Sequence, residues 1–304
     1  MTTQLVLGAG LIGTGLVERL VARGDRVVVA TRSGTKLPGA TAVSLDASDD
    51  IAIAAAAEGA QTIFACVNPP YGKWATLWPP VFAAVTEAAK RSGASLVTMG
   101  NLYPYGRAAM PMTEHSPEHP ADRKGAIREA GWALAKAAND RGDIRAVEVR
   151  ASDYFGPGSG PTAHLGGRFF EPLLTGGTAR VVGNPALAHS WAYLPDITAT
   201  LVAAADHPGE WGRVWHVPPA SDLSRTAVAD RLREQYGATG RLSLYPGALL
   251  AAIGLFVPDI REVHRSSYQF TAPFVNTADE TVRELGVQPT PWDEALETTV
   301  ESYR

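Results

Sequence analysis

One cysteine, Cys66, stands among 304 residues, which excludes an internal disulfide and suits a reducing compartment. Neither sign of charge dominates. A net charge of −4 and an isoelectric point near 6.0 give no electrostatic case for a nucleic-acid partner or an anionic membrane surface. Long apolar runs are also missing, and the most apolar late window, residues 247–257, is too short to span a bilayer. The chain runs at once into an expected strand with no room for a signal peptide, so the expectation is a cytoplasmic protein. There is no repeat and no low-complexity linker. His115, His119, His164 and His189 are scattered, and the pairs Glu114-His115 and Glu118-His119 sit in a proline-bounded loop that reads as solvated surface; no metal site is expected. Gly158-Ser159-Gly160 is too short to be the elbow of a serine hydrolase.

What is present is concentrated at the start. Leu5-Val-Leu-Gly8-Ala-Gly10-Leu11-Ile12-Gly13 takes an apolar run through a G-x-G-x-x-G turn into a helical pattern. Strand before and helix after is the context that makes the turn a dinucleotide site. Gly8 permits the tight turn, Gly10 lets backbone N–H groups approach a pyrophosphate, and Gly13 lets the helix pack close to the sheet. The helix N-terminus then presents unpaired donors and its positive dipole end to the anion.

The pattern continues as alternating strands and helices. Strands are expected at residues 26–30, 42–45, 62–67, 95–99 and 144–150, with helices at 49–58, 74–92 and 124–141. Counting the first, six strands imply an α/β fold, a Rossmann-type doubly wound parallel sheet with right-handed crossovers. After Ala151 glycine and proline become dense and the elements shorten; helices are expected at 223–236, 278–285 and 292–303. The division is a dinucleotide-binding domain over residues 1–155 and a smaller C-terminal substrate-covering lobe over 156–304, interleaved with returning sheet elements.

Four stretches together resemble one family. They are the glycine turn; Asp46-Ala47 after the third strand; Val149-Arg150-Ala-Ser-Asp-Tyr-Phe-Gly-Pro-Gly158; and His189-Ser-Trp-Ala-Tyr-Leu-Pro-Asp196. In this order they resemble the extended short-chain dehydrogenases/reductases, the group that includes nucleotide-sugar epimerases and dehydratases. The resemblance implies a nicotinamide cofactor, with Asp46 and Ala47 at the adenine and with Val67 and Asn68, after the fourth strand, also on the cofactor. The family's Tyr-x-x-x-Lys, in which a lysine one helical turn away lowers the phenol's pKa, occurs nowhere in this chain. Aligning Tyr105-Gly106 on the family's Tyr-Gly puts Asn101 at its Ser/Thr position. Lys124 then stands for the tyrosine and Arg128 for the lysine, so the resemblance is to an atypical member.

The individual residues carry alternatives. Arg32, flanked by Thr31 and Ser33, stands where NAD-preferring proteins usually hold an acid, and a guanidinium pairs with a 2′-phosphate; NADP(H) is expected ahead of NAD(H), against a bland surface arginine. Arg128 either contacts the nicotinamide ribose or is a solvated helix residue. Lys124 acts as a general acid only if burial lowers its pKa. Tyr71, Tyr103, Tyr105 and Tyr154 follow strand ends that face the crevice, and Tyr103 is the favoured proton donor, with Asn101 and Lys124 holding a water as the alternative. Tyr71, Tyr154, His189 and Trp191 are expected on the substrate pocket, the last also reading as lobe packing.

Three functions remain open at this point. The first is an NADP(H)-dependent oxidoreductase acting on a small carbonyl, imine or activated alkene. The second is a cofactor-retaining epimerase or dehydratase without net redox, and the third a non-catalytic NADP(H)-binding sensor or scaffold. In each the partner is a small molecule, without nucleic acid or membrane, and the chain is a monomer or homodimer.

Overall fold

The computed structural model describes residues 2–160, 163–207, 209, 211–245 and 266–304; the apolar window at 247–257 lies outside them. The N-terminal half alternates β1 (Thr3–Leu7), α1 (Leu11–Ala22), β2 (Arg26–Thr31), β3 (Ala40–Ser44), α2 (Asp50–Ala56), β4 (Ala60–Ala65), α3 (Trp74–Ser92), β5 (Ser95–Asn101), α4 (Arg123–Asp140) and β6 (Ala146–Ala151). These strands pair in parallel in the order β6-β5-β4-β1-β2-β3. Along β1 the side chains alternate between two cores. Leu5 and Leu7 join Ile63, Trp78 and Val85 under α2, α3 and α4, whereas Val6 joins Leu16, Leu20, Ile197 and Leu201 under α1 and a later helix. A sheet covered on both faces needs strands that are apolar at successive positions, which is why β1, β2 and β4 read as continuous runs.

The C-terminal half adds β7 (Asp153–Phe155), α5 (Gly167–Leu174), β8 (Thr178–Val181), β9 (Trp191–Tyr193), α6 (Leu194–Asp206), β10 (Val214–His216), α7 (Arg225–Tyr236), β11 (Arg241–Leu244) and α8 (Trp292–Glu301). The expected count of six strands is corrected to seven, because β10 returns to pair in parallel with β6, Trp215 opposite Val149. Three residues enclosed by Gly212 and Pro218 carry too little periodicity to be seen as a strand. The helix expected at 278–285 is a single wide turn, Thr281–Leu285, closed by Gly286 in the left-handed region. A separate core of Phe155, Phe169, Phe170, Trp191, Leu232 and Leu296 holds α5, α7, α8 and the two small sheets β7-β9 and β8-β11 together.

The sheet order reverses between β1 and β4: from β1 the chain winds outward through β2 and β3, then returns to β4 and winds the other way. The crevice beyond the carboxyl ends of these two strands is where an open α/β sheet binds ligands. Among the described residues no helix is long and apolar enough to cross a membrane, and no group of three or more His, Cys, Asp or Glu could hold a metal.

Candidate active site

The crevice holds two cavities that share Gly10, Cys66, Val67 and Asn68 and so form one groove. The outer one, about 740 Å³, runs from Gly8 and Gly10 past Thr31, Arg32 and Ser33 to Asp46 and Ala47. The inner one, about 280 Å³, begins at Gly10, Leu11 and Ile12. Its volume is near the lower end of the roughly 300–1,000 Å³ usual for small-molecule sites.

The glycine turn is built as its spacing implies. Gly8 has φ +100°, and a Cβ on Gly13 would lie 2.1 Å from the Gly8 carbonyl oxygen, so neither position accepts a side chain without movement. Gly10 is different: a Cβ there would meet nothing within 4 Å, because the space in front of it is the groove. Gly10 is also the N-cap of α1 and supplies no side-chain cap, leaving the first-turn N–H groups facing that space.

At the far end of the outer cavity Arg32 is exposed, with the Thr31, Ser33 and Thr35 hydroxyls in contact beside it: Ser33 Oγ lies 3.0 Å from Thr35 Oγ1, and Thr31 Oγ1 donates to Thr35 Oγ1 at 3.2 Å. Asp46 is the nearby acid. Hydrogen bonds from the Ser48 hydroxyl and N–H hold its carboxyl below the usual range, and Arg32 contributes a smaller attraction.

In the inner cavity α4 presents two cations, both buried rather than solvated. Arg128 is 5% exposed; its Nη2 donates to the Met99 carbonyl at 2.5 Å, and its guanidinium lies 4.5 Å from the centre of the Trp78 ring. Its Nε and Nη1 are buried without a hydrogen-bond partner, an arrangement that leaves donors for a ligand in the cavity Arg128 lines. Lys124, 2% exposed, has its Nζ 4.5 Å from the centre of the Tyr71 ring. Tyr71 and Tyr103 meet through their hydroxyls, and Asn101 Oδ1 accepts from the Tyr103 N–H at 3.2 Å. Burial pushes the Tyr71 phenol up to about 12 and the Tyr103 phenol well above its ordinary value. Tyr154 lines the same cavity and is also raised, by burial first and then by Asp153.

Asp153, absent from the sequence-derived set, lies on the cavity wall beside His164. His189 Nε2 bonds Asp153 Oδ2 at 2.8 Å from behind, and the His189 ring is packed among Trp191, Phe270 and Phe274. Burial acts to raise the Asp153 carboxyl, but His164, His189 and Arg225 together outweigh it and hold it below the usual range. His189 and Trp191 therefore do not line the pocket as expected. His189 backs the wall, and Trp191 is fully buried in the lobe core with its indole N–H on the Leu223 carbonyl. The position of Asp153 two residues beyond β6, whose carboxyl end meets the crevice, was the available signal.

In the loop expected to be solvated surface His115 and His119 are exposed, but Glu118 needs correction. Glu118 reaches inward to Arg150 at 2.5 Å, and Arg150 pairs with Glu148, its neighbour but one on β6, at 2.7 Å. Burial raises the Glu148 carboxyl, offset in part by Arg150 and Arg128.

No curated protein matches the chain. A family model described as the NAD dependent epimerase/dehydratase family matches residues 4–217. Solved structures match along nearly the whole chain at low identity. MoeE5 in complex with UDP-glucuronic acid and NAD is 21% identical, with a TM-score of 0.80, covering 99% of this chain and 98% of that one. UDP-glucose 4-epimerase from Thermotoga maritima with UDP-glucose is 17% identical at 0.81, with the same coverage. DesIV, a dTDP-glucose 4,6-dehydratase from Streptomyces venezuelae with NAD and TYD bound, is 20% identical at 0.78, covering 99% and 97%. At these identities the likeness is one of fold.

Proposed function

This chain belongs to the NAD-dependent epimerase/dehydratase family, and from that premise we propose that it is an NADP(H)-dependent oxidoreductase reducing a small C=O or C=N compound. The observation that carries the reading is the single groove with Arg32 and three hydroxyls at one end and the Tyr71–Tyr103 pair at the other.

The residues present fit a dinucleotide. The open space before Gly10 admits a pyrophosphate on the α1 N-terminus, and the unpartnered Arg128 nitrogens offer donors to a ribose. Arg32, Thr31 and Ser33 would hold a 2′-phosphate, with Asp46, Ala47, Val67 and Asn68 along the adenosine half. When bound, the nicotinamide supplies hydride transfer. The chain's own residues do the rest: the phenols and Asn101 orient the substrate, Lys124 and Arg128 support that wall, and the aromatic lining excludes water.

The phenols suit a role as donors to a substrate C=O or C=N. A buried phenol with a raised pKa keeps its proton and serves as a hydrogen-bond donor, whereas oxidation of an alcohol requires a base. One observation favours a second reading, in which hydride leaves and returns without net redox as in an epimerase or dehydratase: the family model that the chain matches is the one that groups such enzymes. Titrating the protein with NADPH and NADH, then following NADPH consumption with small carbonyl and imine compounds, separates these. The proposal expects tighter NADPH binding and stoichiometric consumption. Substrate conversion without consumption would support the second reading, and tight binding without any turnover a sensor.

A further inference from the structure

Carbonyl reduction leaves an alkoxide that needs a proton from a side chain or water, whereas an iminium ion carries its own. Tyr71, Tyr103 and Tyr154 are all weakened as acids by burial, and Asp153 is held ionised. A carboxylate of low pKa is also a poor base. What it supplies is a fixed negative charge, here 17% exposed on the side chain and facing a cavity that Tyr71, Trp74, Tyr103, Tyr154 and Phe274 also line. Aromatic rings around a carboxylate form a recognition site for an organic cation.

We infer that Asp153 is the specificity-determining anion of this cavity and that the substrate is a small iminium ion, reduced to its amine. This rests on the reading of the chain as an NADP(H)-dependent reductase and names its substrate class. The reaction balances without an acid from the protein. The C=N⁺ carbon takes a hydride from the reduced nicotinamide dinucleotide, the π pair moves to nitrogen, and the nitrogen keeps the proton it arrived with. The products are the amine and the oxidised dinucleotide.

Asp153 is the one acidic side chain among the cavity's described lining residues. Its Oδ2 is held by His189, which fixes the carboxylate in the wall. Arg225, whose charge helps to hold the carboxylate ionised, donates from its Nη2 to the Val182 carbonyl at 2.7 Å, and its guanidinium lies 4.3 Å over Phe270. Burial lowers the pKa of His164, and Asp153 offsets this in part. Arg128 lines the same cavity, with its guanidinium 4.5 Å from the centre of the Trp78 ring and its Nη2 on the Met99 carbonyl, and Lys124 lies against the Tyr71 ring. The same carboxylate works against any substrate that would place a phosphate or carboxylate at this wall, since like charges in a low-dielectric site repel.

The test uses two pairs of probes matched in shape. In calorimetry on the NADP⁺-saturated protein, pyrrolidinium is expected to bind at least about tenfold tighter than neutral cyclopentanol. Asp153→Asn is expected to abolish that preference and leave cyclopentanol unchanged. In turnover, 1-pyrroline is expected to be reduced with one NADPH consumed per pyrrolidine formed, far faster than cyclopentanone, and Asp153→Asn to raise its KM at least about tenfold. Equal binding of the two probes, equal reduction of imine and ketone, or an unchanged KM in the variant would each overturn the inference. The wild-type probe comparison decides even if the variant does not fold. A separate titration in which NADPH fails to bind would sink the functional reading itself, whereas NADPH binding without a cation preference sinks only the iminium.

Discussion

The phenolic oxygens of Tyr71 and Tyr103 lie 3.1 Å apart, so each hydroxyl is the other's hydrogen-bond partner in the enclosed end of the groove. Removing one hydroxyl therefore tests whether the pair moves a proton or only positions a substrate. A direct donor is worth about 10²–10⁴-fold in rate. For an iminium substrate Tyr103→Phe is expected to cost less than about tenfold in kcat, with cofactor affinity unchanged. A loss of about a hundredfold or more would identify the phenol as proton donor and a carbonyl as substrate.

Gly10 and Gly13 make opposite expectations within one turn. Gly10→Ala places a methyl in open groove, so the thermal midpoint should hold while NADPH affinity falls. Gly13→Ala drives a methyl against the Gly8 carbonyl at 2.1 Å and should cost about 1–3 kcal/mol of stability as well as affinity. Thermal melts paired with cofactor titrations check both. Undiminished affinity in Gly10→Ala would mean the space before it holds no pyrophosphate.

Arg32→Asp should reverse the cofactor preference. It replaces a guanidinium able to pair with a 2′-phosphate by a carboxylate that repels one and bonds a 2′-hydroxyl. NADPH affinity is expected to fall at least about tenfold, about 1.4 kcal/mol, with NADH affinity unchanged or improved. Equal effects on both nucleotides would make Arg32 a surface residue.

His216 should give stability a pH dependence of definite sign. Its Nε2 bonds the Tyr105 hydroxyl and its Nδ1 the Thr277 carbonyl, both at 2.8 Å, and burial pushes its pKa down to about 3. Unfolded, the imidazole titrates near its ordinary value of about 6.5, so between these values the unfolded chain binds the extra proton. Its contribution is present above about pH 6.5 and is lost as pH falls toward 3, by up to about 1.4 kcal/mol per pH unit. Denaturant melts from pH 7 to 4 should show a steeper loss for the wild type than for His216→Gln, and parallel curves would contradict this.

Legibility in the sequence followed the range of the interaction. The glycine turn, the strands flanking it and Arg32 are local features whose chemistry depends on neighbours in the chain, and the groove assembles from them. The placement of Lys124 and Arg128 on one helix face was likewise a matter of spacing, although their burial against Tyr71 and Trp78 was not. Asp153 was hidden because its significance comes from His189 and His164, brought to it by the lobe. Glu118 looked solvated because its partner Arg150 sits on a strand that only the folded sheet puts beside it. The misplacement of His189 has the same origin: its segment belongs near the cleft, but its ring packs against Phe270 and Phe274, while Trp191 takes the lobe-packing place that was its other reading.

β10 has a consequence for the order in which the molecule can be made. Its three residues close the edge of the sheet against Glu148, Val149 and Arg150, yet they emerge from the ribosome only after α5, β8, β9 and α6. Until then β6 is an open edge carrying a buried ion pair on its side chains, and an unpaired edge is a template for association with another chain. A nascent chain halted before Val214 should therefore be sticky and protease-sensitive, and one extended past His216 protected. The two halves are thus linked during synthesis, and a lobe exchanged between relatives would have to bring its own closing strand.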